Sequence, residues 1–119
     1  MAKVSRASAE HYTWGAGCDG WHLVKGDGLS VIQERMPPGT AEQRHSHVRA
    51  RQFFHVLRGT AAFELDGRVE ALGPGDGVEV PPGVPHTMMN RSEADVEFLV
   101  VSVPKAHGDR VLADSPGSP

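Results

Sequence analysis

Only one cysteine, Cys18, occurs in the 119 residues, so no internal disulfide is possible, which fits a reducing compartment. No apolar run reaches the ~20 residues that a membrane span needs. The opening stretch MAKVSRASAEHYTWGAG lacks an apolar core of signal-peptide length. Positive charge is not in excess either. The 12 Lys and Arg are outnumbered by 15 Asp and Glu, the net charge is −3 with histidine neutral, and no basic block stands out. Nucleic acid and anionic membrane are therefore not expected partners. The chain reads as soluble, cytoplasmic and most simply one domain.

Helical periodicity is also missing, since no run repeats apolar residues at i, i+3 and i+4 over helical length. What is present is a succession of short apolar runs separated by 14 Gly and 9 Pro. Leu29 to Met36 stops at Pro37–Pro38–Gly39, and Gln52 to Leu57 stops before Gly59. Ala61 to Leu65 turns at Asp66–Gly67, a two-residue hairpin signal, into Arg68 to Leu72. Gly77 to Val80, His86 to Asn90 and Val96 to Val103 complete the set. This pattern predicts an all-β fold, an antiparallel sandwich or barrel. Residues 29–104 are expected to form the barrel. Residues 1–28, with few strand cues before residue 20, are expected to add a strand or make a dimer contact. The tail, 105–119, is expected to be mobile.

One stretch, HSHVRARQ at residues 45–52, suggests chemistry. On a strand, side chains alternate faces, so His45 and His47 point the same way at about 7 Å between Cα atoms. After four intervening residues Gln52 begins the next run, and its side chain can reach the same point. His86, beyond the Pro81–Pro82–Gly83–Val84–Pro85 turn, is a fourth candidate. An isolated histidine is more often a surface or satisfied core residue, and His11, His22, His55 and His107 are assigned that role.

The wider spacing sets His45, His47, Gln52 and His86 apart. From Gly39 the chain runs Gly, five residues, His45, one, His47, four, Gln52, six, Gly59. From Gly75 it runs Gly, five, Pro81, one, Gly83, two, His86, three, Asn90. These resemble the two motifs of the cupin superfamily, with Gln52 where the family usually has glutamate. The 15 residues between Gly59 and Gly75 resemble the short inter-motif segment of compact single-domain cupins.

The resemblance implies a cupin-type antiparallel β-barrel, or jelly roll, holding one divalent metal ion (Zn, Ni, Mn, Fe or Cu) on His45, His47, Gln52 and His86. It leaves one or two coordination positions open for a small-molecule substrate. A neutral Gln52 leaves the ion's charge uncompensated, which favours Lewis-acid chemistry on an anionic molecule and tilts away from oxygenase chemistry. Small pectin-catabolism cupins with a similar ligand set convert unsaturated uronate sugars to open-chain ketones. One of Arg44, Arg49 and Arg51, which flank the ligand strand and turn, could clamp a substrate carboxylate, and Arg51 is taken as the pocket residue; a solvated charged loop is the commoner role of such arginines. Phe54 and Met88 are expected to line the cavity, and Phe98, on one of two equivalent faces of the last strand, stands as a fourth pocket candidate. Asp95, Glu97 and His55 are weak candidates for a proton-transferring base. The expected activity is that of an isomerase, tautomerase or lyase, with a dioxygenase or a non-catalytic binding module as alternatives. Small cupins commonly pair, and Phe53 and Leu57 on the outer face, with Tyr12, Trp14 and Trp21, predict a homodimer.

Overall fold

The computed structural model describes residues 2–114. The chain forms β1 (Glu10–Trp14), β2 (Cys18–Lys25), β3 (Ser30–Met36), β4 (His45–His47), β5 (Arg51–Arg58), β6 (Ala61–Leu65), β7 (Arg68–Leu72), β8 (Gly77–Val80), β9 (His86–Met89), β10 (Val96–Val103) and β11 (Arg110–Leu112). They build two sheets with neighbour orders β1-β2-β3-β10-β5-β8 and β11-β4-β9-β6-β7, every pairing antiparallel. Strands distant in sequence lie side by side in each sheet, and together the two sheets make the jelly roll.

Alternation decides which residues meet between the sheets. On β5, Gln52, Phe54 and Val56 are buried while Arg51, Phe53 and Leu57 are exposed. On β10 the inward face is Val96, Phe98, Val100 and Ser102. Glu97, on the opposite face of β10, is buried beneath two arginines, Arg6 and Arg58. The β6–β7 hairpin turns at Asp66 and Gly67 with φ of 50° and 91°. Two successive positive φ values define the type I′ turn that matches strand twist.

Met36, Phe54, Val56, Phe63, Met88, Val96 and Phe98 form the apolar core. Burying each large side chain contributes about 1.5–3 kcal/mol. Met88 and Phe98 are fully buried within this cluster and do not line the open cavity described below. Both alternate correctly with His86 and Ser102, but their side chains pack into the apolar core.

The described segments on either side of the expected barrel also carry strands. β1 and β2 form a hairpin that extends the larger sheet from β3. Residues 105–114 do not form a mobile tail: Arg110–Leu112 pairs with β4. The remainder of the expected tail, residues 115–119, lies outside the described residues.

Candidate metal centre and cavity

β4 is short and depends on its neighbours. It lies between β11 and β9, with Arg110 opposite His47, and with Leu112 and His86 both opposite His45. Gly83 N–H donates to the His47 carbonyl at 2.7 Å. The Asp109 carboxylate accepts from the backbone N–H groups of Val48 (3.1 Å), Arg49 (2.9 Å) and Ala50 (2.8 Å). The turn leading from the histidine strand into β5 is thereby fastened to the start of β11. Arg44, half-buried, donates through Nε to Glu64 Oε1 at 2.7 Å. That pair ties the residue before His45 to β6, two strands away in the same sheet.

Directly opposite residues in a sheet project to the same side. His45, His47 and His86 therefore converge: their ligand-capable atoms all lie within 4.8 Å of one another. Ring centroids are 4.4 Å apart for His45–His86 and 4.9 Å for His45–His47. Nδ1 of His45 lies 2.7 Å from the Gln43 carbonyl, and Nδ1 of His86 lies 3.0 Å from that of Val84. A carbonyl only accepts, so both Nδ1 atoms carry the proton, and each Nε2 keeps its lone pair for the interior. The His86 ring stacks on Phe63 and meets the edge of Phe54. Burial holds all three rings neutral, pushing His45 down to about 3 and His47 to about 4, with His86 also lowered.

Gln52 faces this cluster's cavity from the opposite sheet. Its Nε2 donates to Ser102 Oγ at 3.0 Å, and its Oε1 is buried without a hydrogen-bond partner. His86 Nε2 and His47 Nδ1 are likewise buried and unpartnered. Buried polar atoms normally find partners, so several orphans in one place call for an explanation. Neutral imidazoles and an amide oxygen suit a divalent ion, and the three clustered histidines can hold one.

The cavity itself has a volume of about 980 Å³. His45, His47, Gln52 and Phe54 contribute to its wall. Tyr12, expected at a dimer contact, and His22 and His107, expected at the surface or in the core, line it too, as do Glu34, Glu42 and Arg110, which the sequence did not single out. Gly20 sits opposite Tyr12, and a Cβ there would fall 2.2 Å from the tyrosine ring. The bare glycine thus lets the ring lie flat across β2 towards β3, where Tyr12 Oη donates to Glu34 Oε1 at 3.5 Å. Glu42 accepts the N–H of Met88 at 2.8 Å. Neither carboxyl is in an ion pair among the described residues. Burial, reinforced by the nearby Glu42, pushes Glu34 up to about 8. Burial likewise raises Glu42 to about 7, against the opposing Met88 N–H and Arg110. Burial and the Glu34 carboxylate also push the Tyr12 hydroxyl well above its ordinary value, so it stays protonated.

Several other sequence candidates lie elsewhere. Arg51 alternates with Gln52, so it faces outward and pairs with Glu79 on the surface. Arg49 is exposed. Asp95 pairs with Arg35 at 3.1 Å, Glu97 lies under Arg6 and Arg58, and His55 stacks on Phe53. None of the three lines the cavity.

Residues 32–102 match the cupin domain, more than half of the chain and both spaced motifs. The chain belongs to the cupin family. Among curated proteins this cupin is similar to the oxalate-binding protein of Thermotoga maritima, 28% identical over 69 residues. That match covers 58% of the chain and only 57% of the relative. Among solved structures it superposes on KdgF from Halomonas sp. with a TM-score of 0.82 at 20% identity, covering 90% of this cupin and 96% of KdgF. A sugar phosphate isomerase of the cupin superfamily from Silicibacter pomeroyi gives a TM-score of 0.78 at 22% identity, covering 99% and 96%. At such identities the structural likeness shows a shared fold.

Proposed function

We propose that this cupin is a metal-dependent enzyme that moves a proton within a small, anionic, oxygen-rich molecule such as a sugar acid, as an isomerase, tautomerase or lyase. The observation that carries this reading is the presence of two carboxyl groups, Glu34 and Glu42, without cationic partners in the same cavity as the histidine cluster. His45, His47, Gln52 and His86 would hold the ion, which when bound supplies a Lewis acid that polarises a carbonyl or enolic oxygen.

The remaining work falls to the chain's own side chains. General acid–base groups act best with a pKa near the working pH, and Glu34 at about 8 and Glu42 at about 7 meet that condition. With like charges close by, one carboxyl keeps its proton while the other is free to accept one. Tyr12 stays protonated, so its hydroxyl donates and orients Glu34. Phe54 and Phe63 back the His86 ring and keep water from that side. Two similar proteins are named for anions, oxalate and a sugar phosphate, which supports an anionic ligand. The oxalate-binding protein also favours a second reading, in which the cavity binds a small acid without turning it over.

The test has two parts. The metal content of the purified protein is measured, and exchange of substrate hydrogen for deuterium is followed by NMR in heavy water, without oxygen, on a panel of unsaturated uronates and related keto acids. Exchange that survives in the metal-loaded wild type and disappears in both His86→Ala and Glu34→Gln is the expected result. Turnover only with oxygen consumption would establish the dioxygenase instead. Tight binding without exchange would leave a binding module.

A further inference from the structure

We propose that Arg110 is the residue that recognises the substrate's carboxylate and sets the site's preference for acids over neutral molecules of the same size. This rests on the reading of the cavity as a site for small anionic molecules, and it goes beyond that reading by assigning the recognition to one side chain.

Pairing places Arg110 there. β11 runs antiparallel to β4 with Arg110 directly opposite His47, so both side chains project from the same face of the sheet, the face that carries the histidine cluster. Arg110 accordingly lines the cavity beside His45 and His47. Its position is well defined, because the preceding residue, Asp109, is fastened to three backbone N–H groups of the turn that follows His47.

Charge distinguishes it from its neighbours. The cavity wall carries three permanent cations, Lys25, Lys105 and Arg110. Lys25 is held by Glu10 at 3.0 Å and Lys105 by Asp27 at 2.9 Å. Arg110 has no carboxylate partner among the described residues. Its one hydrogen bond is a long one, Nη2 donating to the Gln43 carbonyl at 3.5 Å, and that carbonyl also fixes His45 Nδ1. A guanidinium offers a planar fork of donors that fits a carboxylate bidentately, which an ammonium cannot do. Here that fork is in no ion pair among the described residues, although Glu42 lies within its electrostatic reach; it lines the cavity wall and shares a carbonyl with a histidine of the cluster. A molecule with a carboxylate near a carbonyl or hydroxyl oxygen can engage Arg110 with the first and reach the cluster with the second. Arg51, the sequence candidate for this task, is already paired and faces outward from the opposite sheet.

The experiment uses the full-length, Co(II)-loaded protein and compares galacturonate with galactose, which differ in the carboxylate. Affinities are measured by calorimetry. Azide, followed through the visible spectrum of the cobalt, serves as an anion too small to need Arg110. The wild type is expected to prefer galacturonate. Arg110→Gln is expected to weaken galacturonate by about tenfold or more, the range for losing a charge-assisted hydrogen bond, with galactose and azide changed less than about twofold and cobalt binding retained. Arg110→Lys is expected to recover part of the loss. Unchanged galacturonate affinity in Arg110→Gln overturns the proposal alone. An equal loss for azide also overturns it, since that would be a field effect on the ion and not recognition. A wild type without preference for the acid overturns both the proposal and the sugar-acid reading of the site.

Discussion

Gln52 makes its side-chain hydrogen bond to a single neighbour. Because Nε2 donates to Ser102 Oγ, Oε1 must be the atom left for the cavity. Gln52→Glu is expected to keep the metal, since a carboxylate is a good ligand, but to weaken azide binding to the Co(II)-loaded protein by about tenfold as the ion's charge is offset. Unchanged or tighter azide binding would contradict the electrostatic account of Gln52. Ser102→Ala frees the amide to rotate and should lower metal affinity by about tenfold, the low end for losing a group that orients a ligand. His86→Ala should cost more than about a hundredfold, whereas His107→Ala should leave binding intact, as competition with a fluorescent chelator will show. Glu34 makes a pH prediction. At about 8 its folded-state pKa lies above the ordinary 4.5, so unfolding releases a proton between these values. Its contribution to stability is complete below the ordinary value and lost as pH rises through 8. Removing the ionisable group should therefore matter most at high pH. In the metal-free protein, Glu34→Gln should stabilise by about 2 kcal/mol at pH 8.5 relative to pH 4.5, an amount discounted for partial exposure. His45 and His47 act in the opposite direction. They are held neutral at about 3 and 4, so they withdraw stability as pH falls below 6.5. Urea unfolding across the pH range separates the two effects.

Among the elements, β4 shows what was legible and what was not. Its two histidines were readable from alternation and motif spacing, and so was the place of His86, because both are properties of neighbouring residues and of short turns. The hairpin at Asp66–Gly67 was legible for the same reason. β11 was not: three residues, Arg-Val-Leu, in a polar tail carry no periodicity, and they become a strand only because β4 offers a free edge. β1 and β2 were obscured by His, Thr, Asp and Gly among their aromatics, although Tyr12 and Trp14 do alternate. The arginine assignment follows the same division. Arg51 is near the motif in sequence, but its adjacency to Gln52 turns it outward, while Arg110 comes in through strand pairing that no local pattern encodes. Glu34 is a milder case. It shares a strand face with Ser30, Ile32 and Met36, and a carboxylate on such a face is the signal that could have found it. The turn after β4 gives an element-scale prediction. Asp109→Ala removes the acceptor for three backbone donors, and metal affinity is expected to fall by about tenfold as the histidine strand loosens. Asp109→Asn, which keeps one acceptor oxygen, should lose less. Hydrogen exchange at Val48, Arg49 and Ala50 should rise in step, and affinity loss without that rise would point to another cause.

At the scale of the whole molecule, the chain satisfies one of the needs that suggested a dimer. Trp21 is only 7% exposed, with the Arg6 guanidinium 4.1 Å above its ring. Tyr12 and Trp14 face the cavity within the chain's own sheet. The outer face of β5 is different: Phe53 and Leu57 are each 42% exposed. Large apolar groups left open together mark a contact surface. We propose a two-fold dimer through this face. Light scattering at micromolar concentration should give about twice the 12.8 kDa of the chain, and Phe53→Ser with Leu57→Ser should return it to the single mass without loss of metal. A wild-type mass of one chain would refute the dimer. No α-helix occurs among the described residues, and none is long and apolar enough to cross a membrane.

The pairing of β4 with β11 also has a consequence for synthesis. Chains emerge from the ribosome from the N-terminus at about 5–20 residues per second. His45 and His47 are made early, yet their strand receives β9 and then β11 only later, and Asp109 follows Val48 by 61 residues. Nascent histidines would thus wait as an unpaired segment, able to take up any divalent transition metal nearby before the cavity exists to discriminate. A ribosome stalled before residue 109 should present a chain with the first motif exposed and no selectivity for the ion it holds. Any choice of metal would belong to the finished molecule, and translation speed would set how long the unfinished one could choose wrongly.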